Sequence, residues 1–241
     1  MTDILSPIPP RTVDRRAFIL NNTALQPVPH APEIRLHLAD EATELWSRTE
    51  EELGELGLPP PFWAFAWAGG QALARFILDH PDTVAGKRVL DFASGSGLVA
   101  IAACMAGAAS VTAIDIDAFS AIAIGVNAAA NGVDITVDHA DVLGTPTVGF
   151  DVILAGDVFY EKPMADRVLP WLSAAERLGT LCLVGDPGRA YLPKDRLDLC
   201  ATYSVPTTRE LEDSEVKMTN VWRLKAAAGS PDLTPPGKAA A

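Results

Sequence analysis

The chain has little cysteine. Cys104, Cys182 and Cys200 are the three among 241 residues, an odd number without metal-type spacing. All fall in apolar segments, so they are expected to be reduced core residues in a cytoplasmic compartment, not a disulfide framework. Histidine is nearly as scarce, and His30, His37, His80 and His139 form no ligand pair at helical spacing, so no metal is expected. Basic residues are outnumbered too: 19 Lys and Arg against 31 Asp and Glu leave a net charge of −12. That argues against general nucleic-acid binding, which needs a basic stripe to neutralise phosphates. Attraction to a basic, lysine-bearing protein partner and plain solubility explain the acidic surplus equally well. Met1 to Pro10 is short, broken by proline and contains Asp3, so it does not read as a secretory leader. The uncharged run from Phe92 to Ile114 is broken by Ser94-Gly95-Ser96-Gly97, Gly107 and Ser110, and reads as loop, helix and strand, not as a membrane span. No internal repeat is found.

What is present is enough apolar material, 49% of the residues, to bury one sizeable core. The most informative stretch is Val89-Leu90-Asp91-Phe92-Ala93-Ser94-Gly95-Ser96-Gly97, followed by the apolar segment Leu98 to Ala106. It reads as strand, tight loop and helix. Glycine at 95 and 97 permits positive φ and close approach of a ligand, while the first N–H groups of the helix stay free to receive acceptors. Gly95-Ser96-Gly97-Leu98-Val99-Ala100 also fits the dinucleotide pattern GxGxxA, with Asp115 downstream to hold ribose hydroxyls. The carboxylate of Asp91 separates the two readings. A pyrophosphate beside it is repelled, whereas the α-ammonium and sulfonium of S-adenosylmethionine are attracted.

From these residues the chain resembles the class I, seven-strand S-adenosylmethionine-dependent methyltransferases, over roughly Pro59 to Leu224. A narrower resemblance lies in Pro61-Phe62-Trp63-Ala64-Phe65-Ala66-Trp67-Ala68-Gly69-Gly70-Gln71-Ala72-Leu73-Ala74-Arg75 together with Asp157-Val158-Phe159-Tyr160. These segments are similar to the lysine methyltransferases that modify the β subunit of electron transfer flavoprotein, a branch of methyltransferase family 16 marked by a DxxY motif. The resemblance implies a doubly wound Rossmann-like α/β sheet of seven strands with a C-terminal antiparallel hairpin. It also implies S-adenosylmethionine as donor, S-adenosylhomocysteine as product, and lysine trimethylation of that subunit. The loop departs from relatives at Ala93-Ser94, and Asp stands in place of Glu at 115. A monomer is expected.

Three regions follow: an N-terminal extension and cover (1–58), the methyltransferase domain (59–225) and a tail rich in Ala, Pro and Gly (226–241) that is expected to be disordered. In the extension, Val13 to Thr23 is an amphipathic helix with Phe18, Ile19 and Leu20 on its apolar face. Ile34, Leu36 and Leu38 mark a half-buried strand, and Asp40 caps a helix through Leu53. Gly69 to Leu78 is the helix before the core sheet. Phe62 and Phe65 are assigned to the core, whereas Trp67 by resemblance lies against the cofactor, where its ring face suits a sulfonium.

Strands are then expected at Ser110 to Asp115, Val133 to Asp138, Phe150 to Leu154, Thr180 to Gly185, Tyr203 to Pro206 and Val216 to Leu224. The short link between the last two requires antiparallel pairing. Asp117 caps the helix that Asn131-Gly132 ends. Around the loop, Asp91, Ala93, Ser94, Gly95 and Gly97 are cofactor-binding candidates, joined by Asp115 for the ribose and its neighbour Ile116. The resemblance adds Asp141 at the adenine amine, although loop capping accounts for that acid nearly as well. Asp157 is the candidate that positions the incoming amine and Tyr160 an aromatic wall beside it. Asp157 starting a helix with Tyr160 packed beneath is the bland alternative. The rivals in function are methylation of a small amine or ring nitrogen on the same fold, and a non-catalytic cofactor-binding module. Titration calorimetry tests the charge argument: S-adenosylmethionine is expected to bind and a nicotinamide dinucleotide not, and the reverse result overturns the cofactor assignment.

Overall fold

A computed structural model describes residues 14–39, 45 and 60–226. The helix expected from Asp40 to Leu53, apart from Leu45, and the two chain ends lie outside these residues. The core is a seven-stranded sheet built from β3 (Arg88–Phe92), β4 (Ser110–Ile114), β5 (Thr136–Asp138), β6 (Val152–Gly156), β7 (Leu181–Asp186), β8 (Leu197–Pro206) and β9 (Val216–Leu224). Its spatial order is β5-β4-β3-β6-β7-β9-β8. The first five strands run parallel, and β9 is antiparallel to both β7 and β8. The chain winds outward from β3 in one direction and then returns to β6 on its other side. The carboxyl ends of β3 and β6 therefore flank the switch point where open α/β sheets bind ligands.

Alternation along the strands feeds two cores. Val89, Val111, Ala113, Val152 and Leu154 face α2 (Ala68–Asp79) and α3 (Leu98–Met105). Leu90, Phe92, Ile114, Ile153 and Ala155 face the opposite side, where Val168, Trp171 and Leu172 of α5 (Lys162–Arg177) meet them. Burial on both faces is why these strands are continuous apolar runs. Asp91 shares the α2/α3 face with Val89, and so points a carboxyl group into an apolar layer.

The N-terminal extension covers the helices instead of the sheet. Its helix α1 (Arg15–Asn22) buries Phe18 and Ile19 but leaves Leu20 exposed, because three successive residues cannot share one helical face. The hairpin β1 (Ala24–Val28) and β2 (Ala31–Leu38) places Ile34, Leu36 and Leu38 in the α2/α3 core. It is fastened by two asparagines of α4 (Ala118–Asn131): Arg35 N–H donates to Asn131 Oδ1 at 2.9 Å and His37 N–H to Asn127 Oδ1 at 2.8 Å.

Several elements differ from their expected bounds, β6 for example running from Val152 to Gly156 instead of Phe150 to Leu154. The third strand starts at Thr136 because Val133 N–H bonds back to Ala128 O at 3.1 Å, which keeps the chain in the helix-terminating turn past Gly132. The hairpin strand β8 starts at Leu197, not Tyr203. It is a sheet edge with most side chains in solvent, so it carries no apolar alternation to read. Cys200 lies on this edge and is exposed, which corrects its assignment to the core; Cys182 alone is fully buried and Cys104 partly so. The link between β8 and β9 holds a single helical turn, α6 (Arg209–Glu212).

The N-terminus of α2 rests on the carboxyl ends of β6 and β7 through glycines on both sides. A Cβ at Gly156 would lie 3.0 Å from Gly70 Cα and N, and one at Gly185 would collide with Gly69 O. A methyl group at Gly185 meets backbone that cannot turn aside, so Gly185→Ala is expected to destabilise the protein by about 1–3 kcal/mol. At Gly125 a Cβ has nothing within 4 Å, and Gly125→Ala inside α4 is expected to stabilise by about 0.5–1 kcal/mol. Thermal unfolding of the two variants checks both signs.

Candidate active site

The loop after β3 is built around one carboxylate oxygen. Asp91 is 1% exposed, and its Oδ2 accepts from Ser94 Oγ at 2.5 Å and from Ala100 N–H at 3.0 Å. Ala100 is the third residue of α3, which starts from Gly97 at φ 84° with no capping side chain of its own. Asp91 thus does from the preceding strand what an N-cap usually does from the adjacent position. Oδ1 receives no hydrogen bond among the described residues. Burial pushes the Asp91 carboxyl up to about 7, offset in part by the Ser94 and Ala100 hydrogen bonds. A cation brought beside it favours the ionised form.

Asp115, just past the end of β4, holds the other side of the loop. Its Oδ2 accepts from Gly95 N–H at 2.8 Å and its Oδ1 from Asp117 N–H at 2.9 Å. Burial raises its pKa above the ordinary carboxylate range. Each oxygen keeps a lone pair for a hydroxyl. Ile116 beside it is 71% exposed, an apolar surface at the same edge. Ala93, in the loop, is one of three non-glycine residues at positive φ among the described residues, with φ 53°. Asp141 lies farther out and is half exposed. Its Oδ2 accepts from Arg167 Nη2 at 2.7 Å and its Oδ1 from Leu143 N–H at 3.1 Å, so this carboxylate also caps its own loop. Arg167 holds its pKa below the ordinary range. The donor set suits a ligand with a cation at one end and neighbouring hydroxyls at the other.

The second half of the site lies past β6. Asp157, at φ 56°, does not begin a helix: α5 starts at Lys162. Its Oδ2 accepts from Gly70 N–H at 3.0 Å, at the N-terminus of α2. Its Oδ1 accepts from Arg189 Nε at 3.0 Å and Nη2 at 2.7 Å. Burial pushes the Asp157 carboxyl up to about 6, opposed by Arg189 and assisted by Glu212 and Asp186. Left-handed backbone at a non-glycine residue costs about 1–3 kcal/mol and clusters at functional positions. Ala93 and Asp157 show it just past two adjacent strand ends.

Tyr160 is 44% exposed and forms a wall with Phe62, at a ring separation of 5.9 Å, and Phe62 lies 5.8 Å from Trp67. This corrects the assignment of Phe62 to the core: it is 37% exposed and belongs to the wall, whereas Phe65 is buried as expected. Trp67 donates its Nε1–H to Phe62 O at 2.9 Å, and the Arg189 guanidinium lies 5.9 Å from its ring centroid. The structure brings together Asp91, Ala93, Ser94, Gly95, Gly97, Asp115 and Ile116 on the β3–β4 side, and Trp67, Asp157 and Tyr160 on the β6 side.

Sequence reasoning left out three contributors. Asn127, fully buried, donates Nδ2–H to Ser96 O at 2.8 Å and so ties the glycine loop to the N-terminal hairpin. Its signal was an amide in an otherwise apolar helix. Arg189 lies in the loop after β7, which carries no motif that marks a role. Glu212 carried no local signal at all.

A mixed seven-strand sheet of this order, with a glycine loop and acids at the carboxyl ends of β3, β4 and β6, defines the class I S-adenosylmethionine-dependent methyltransferases. Residues 72–158 match the family model of ribosomal protein L11 methyltransferase (PrmA). The ribosomal protein L11 methylase of Lactobacillus delbrueckii subsp. bulgaricus shares the fold, with a TM-score of 0.50, 23% identity, and 67% of this chain and 81% of that one covered. The electron transfer flavoprotein beta subunit lysine methyltransferase of Xenopus laevis is 38% identical over 216 residues, 87% of each chain. The human enzyme of that name is 34% identical, covering 86% of this chain and 80% of its own. The chain belongs to the electron transfer flavoprotein beta subunit lysine methyltransferase family.

The raised pKa of Asp91 sets a pH dependence with a definite sign. Below about pH 7 the buried acid is protonated, and a cationic ligand must displace that proton to pair with it. The affinity for S-adenosylmethionine is therefore expected to fall as pH drops through 7, by up to about tenfold per pH unit, and to flatten in Asp91→Asn. Without ligand the sign is opposite: the protonated folded form is favoured, so this acid's contribution to stability declines as pH rises from about 4 to about 7. Calorimetry across roughly pH 5.5–8 and thermal unfolding across roughly pH 4–7 read the two trends.

Proposed function

We propose that the chain transfers methyl groups from S-adenosylmethionine to lysine side chains of the electron transfer flavoprotein β subunit. The relatives named for that activity supply the substrate. One geometric observation carries the reading: an acid and an aromatic wall meet at the end of β6, across the switch point from the glycine loop, and the wall stands open to solvent. A lysine protruding from a folded protein can reach such a wall; a metabolite methyltransferase encloses its small acceptor.

When bound, S-adenosylmethionine supplies a methyl group on a cationic sulfur. Asp91, Asp115 and the glycine loop would hold this donor, and an amine lone pair would take its methyl group while the sulfur keeps the C–S bonding pair. The amine must first be neutral, against a reference pKa of about 10.4. Tyr160 and Phe62 strip water from it, which favours the neutral form. The Asp157 carboxylate, ionised above about pH 6, accepts a hydrogen of the amine and directs the lone pair away from itself. Alignment replaces a bimolecular encounter and supplies much of the rate. After each transfer the nitrogen sheds a proton before it can attack again. The aromatic faces hold the methylated, more apolar cation.

The test is mass spectrometry of the purified β subunit after incubation with enzyme and donor. Mass gains in methyl increments on its lysines are expected. A gain on a small amine with none on the subunit selects the rival acceptor, and no gain on anything selects a binding module. Asp157→Asn is expected to lower kcat by about a hundredfold or more while donor affinity holds. Tyr160→Ala is expected to shift the products toward fewer methyl groups and to weaken acceptor binding by about tenfold.

A further inference from the structure

Asp157 is one arm of a larger ionic assembly that local sequence does not reveal. The Arg189 guanidinium is shared between two bidentate contacts. Toward Asp157 it donates from Nε and Nη2, and toward Glu212 it donates from Nη1 to Oε2 at 3.0 Å and from Nη2 to Oε1 at 2.5 Å. The Glu212 side chain is 1% exposed, and it sits on α6 in the link between β8 and β9. The backbone from which Arg189 departs is also held: Asp186 Oδ1 accepts from Gly188 N–H at 2.6 Å and Arg189 N–H at 2.7 Å. Asp186 is fully buried and its other oxygen, Oδ2, has no hydrogen-bond partner among the described residues.

Two carboxylates thus share one guanidinium, and a third, Asp186, holds the backbone beneath it and feels its charge. An assembly with surplus negative charge and an unpaired buried oxygen has room, electrostatically, for a second cation. It adjoins the Trp67 ring, over which Arg189 already lies. Removing the guanidinium would leave the acids to repel one another.

We propose that Arg189 is a positioning residue for methyl transfer: gripped by Glu212 and by the Asp186 turn, its guanidinium fixes the direction of the Asp157 carboxylate and keeps it charged for the incoming lysine ammonium. The proposal rests on the amine-positioning role of Asp157. The charged groups acting on that carboxylate are Arg189 and Asp186 from the loop after β7 and Glu212 from α6, with the Gly70 N–H from α2. Arg189 lowers its pKa, while Glu212 and Asp186 raise it.

Opposite charges in the assembly must then move the acid side of the rate profile in opposite directions, which a merely structural role does not do. The experiment measures kcat and KM against pH with the electron transfer flavoprotein β subunit as acceptor, varying S-adenosylmethionine up to saturation. In Arg189→Met the inflection near pH 6 is expected to rise by about one unit or more, kcat to fall at least about tenfold, and the donor KM to stay within about twofold. Arg189→Lys is expected to recover part of the rate and return the inflection toward its original position. Glu212→Gln retains the guanidinium and deletes a repelling charge, so its inflection is expected to move to lower pH. Should Arg189→Met fail to fold, Glu212→Gln decides the matter alone.

A double-mutant cycle separates this proposal from the one beneath it. Added to Asp157→Asn, Arg189→Met is expected to cost less than about twofold, because the residue acts through that acid. Unmoved inflections in both variants, or a full additive loss in the cycle, overturn the positioning role while leaving an impaired Asp157→Asn in place. Asp157→Asn at wild-type rate overturns both.

Discussion

The site depends on how closely the first turn of α2 can approach the ends of β6 and β7. Gly69 on the helix and Gly156 and Gly185 on the strands leave out the Cβ atoms that would collide there, so backbone lies against backbone. The Gly70 N–H thereby reaches Asp157 Oδ2, and the positive end of the helix faces a buried acid. A Cβ at Gly69 would lie 2.5 Å from that same oxygen. One steric constraint therefore sets both the packing of a layer and the seat of the candidate catalytic carboxylate. It also places Trp67, the residue preceding α2, beside Phe62 and Arg189.

The two halves of the site solve the cost of burying an acid differently. Asp91 has only neutral donors, a hydroxyl and a peptide N–H, so its charge stays uncompensated and its pKa rises to about 7. Such a group is poised to gain from a cation that arrives with the ligand. Asp157 has a resident cation, yet burial, with two further acids nearby, keeps its pKa up at about 6. In the roles proposed for these two acids, cofactor binding and amine orientation draw on one kind of stored electrostatic demand, set to different strengths by the neighbours. The left-handed backbone at Ala93 and Asp157 adds strain just past the ends of β3 and β6, where the remainder of the sheet can hold it in place.

Much of this was legible in the chain. The strand, glycine loop and helix from Val89 to Met105 appear where the residues place them, as does the cap of α4 at Asp117 and its end at Gly132. The strand of Ile34, Leu36 and Leu38 was read correctly because one of its faces is buried and the alternation survives. β8 was read six residues too short, since an edge strand with polar residues on its open face has no pattern to find. Phe62 was misplaced for a related reason: an aromatic residue in a run of aromatics carries no mark of whether it packs inward or lines an opening.

Contiguous residues settled the class of fold, the cofactor loop and the acid at its base, because a strand tip, a tight turn and a helix start are decided within a dozen positions by φ freedom, polarity and periodicity. The tertiary structure alone decided which charges share a site. Arg189 lies 32 residues from Asp157 and 23 from Glu212, on separate elements, and their pairing exists only after β7 and the β8–β9 link have been laid beside β6. A charge's partner is a matter of distance in space and of the water removed between them, and neither quantity is written in the order of the residues.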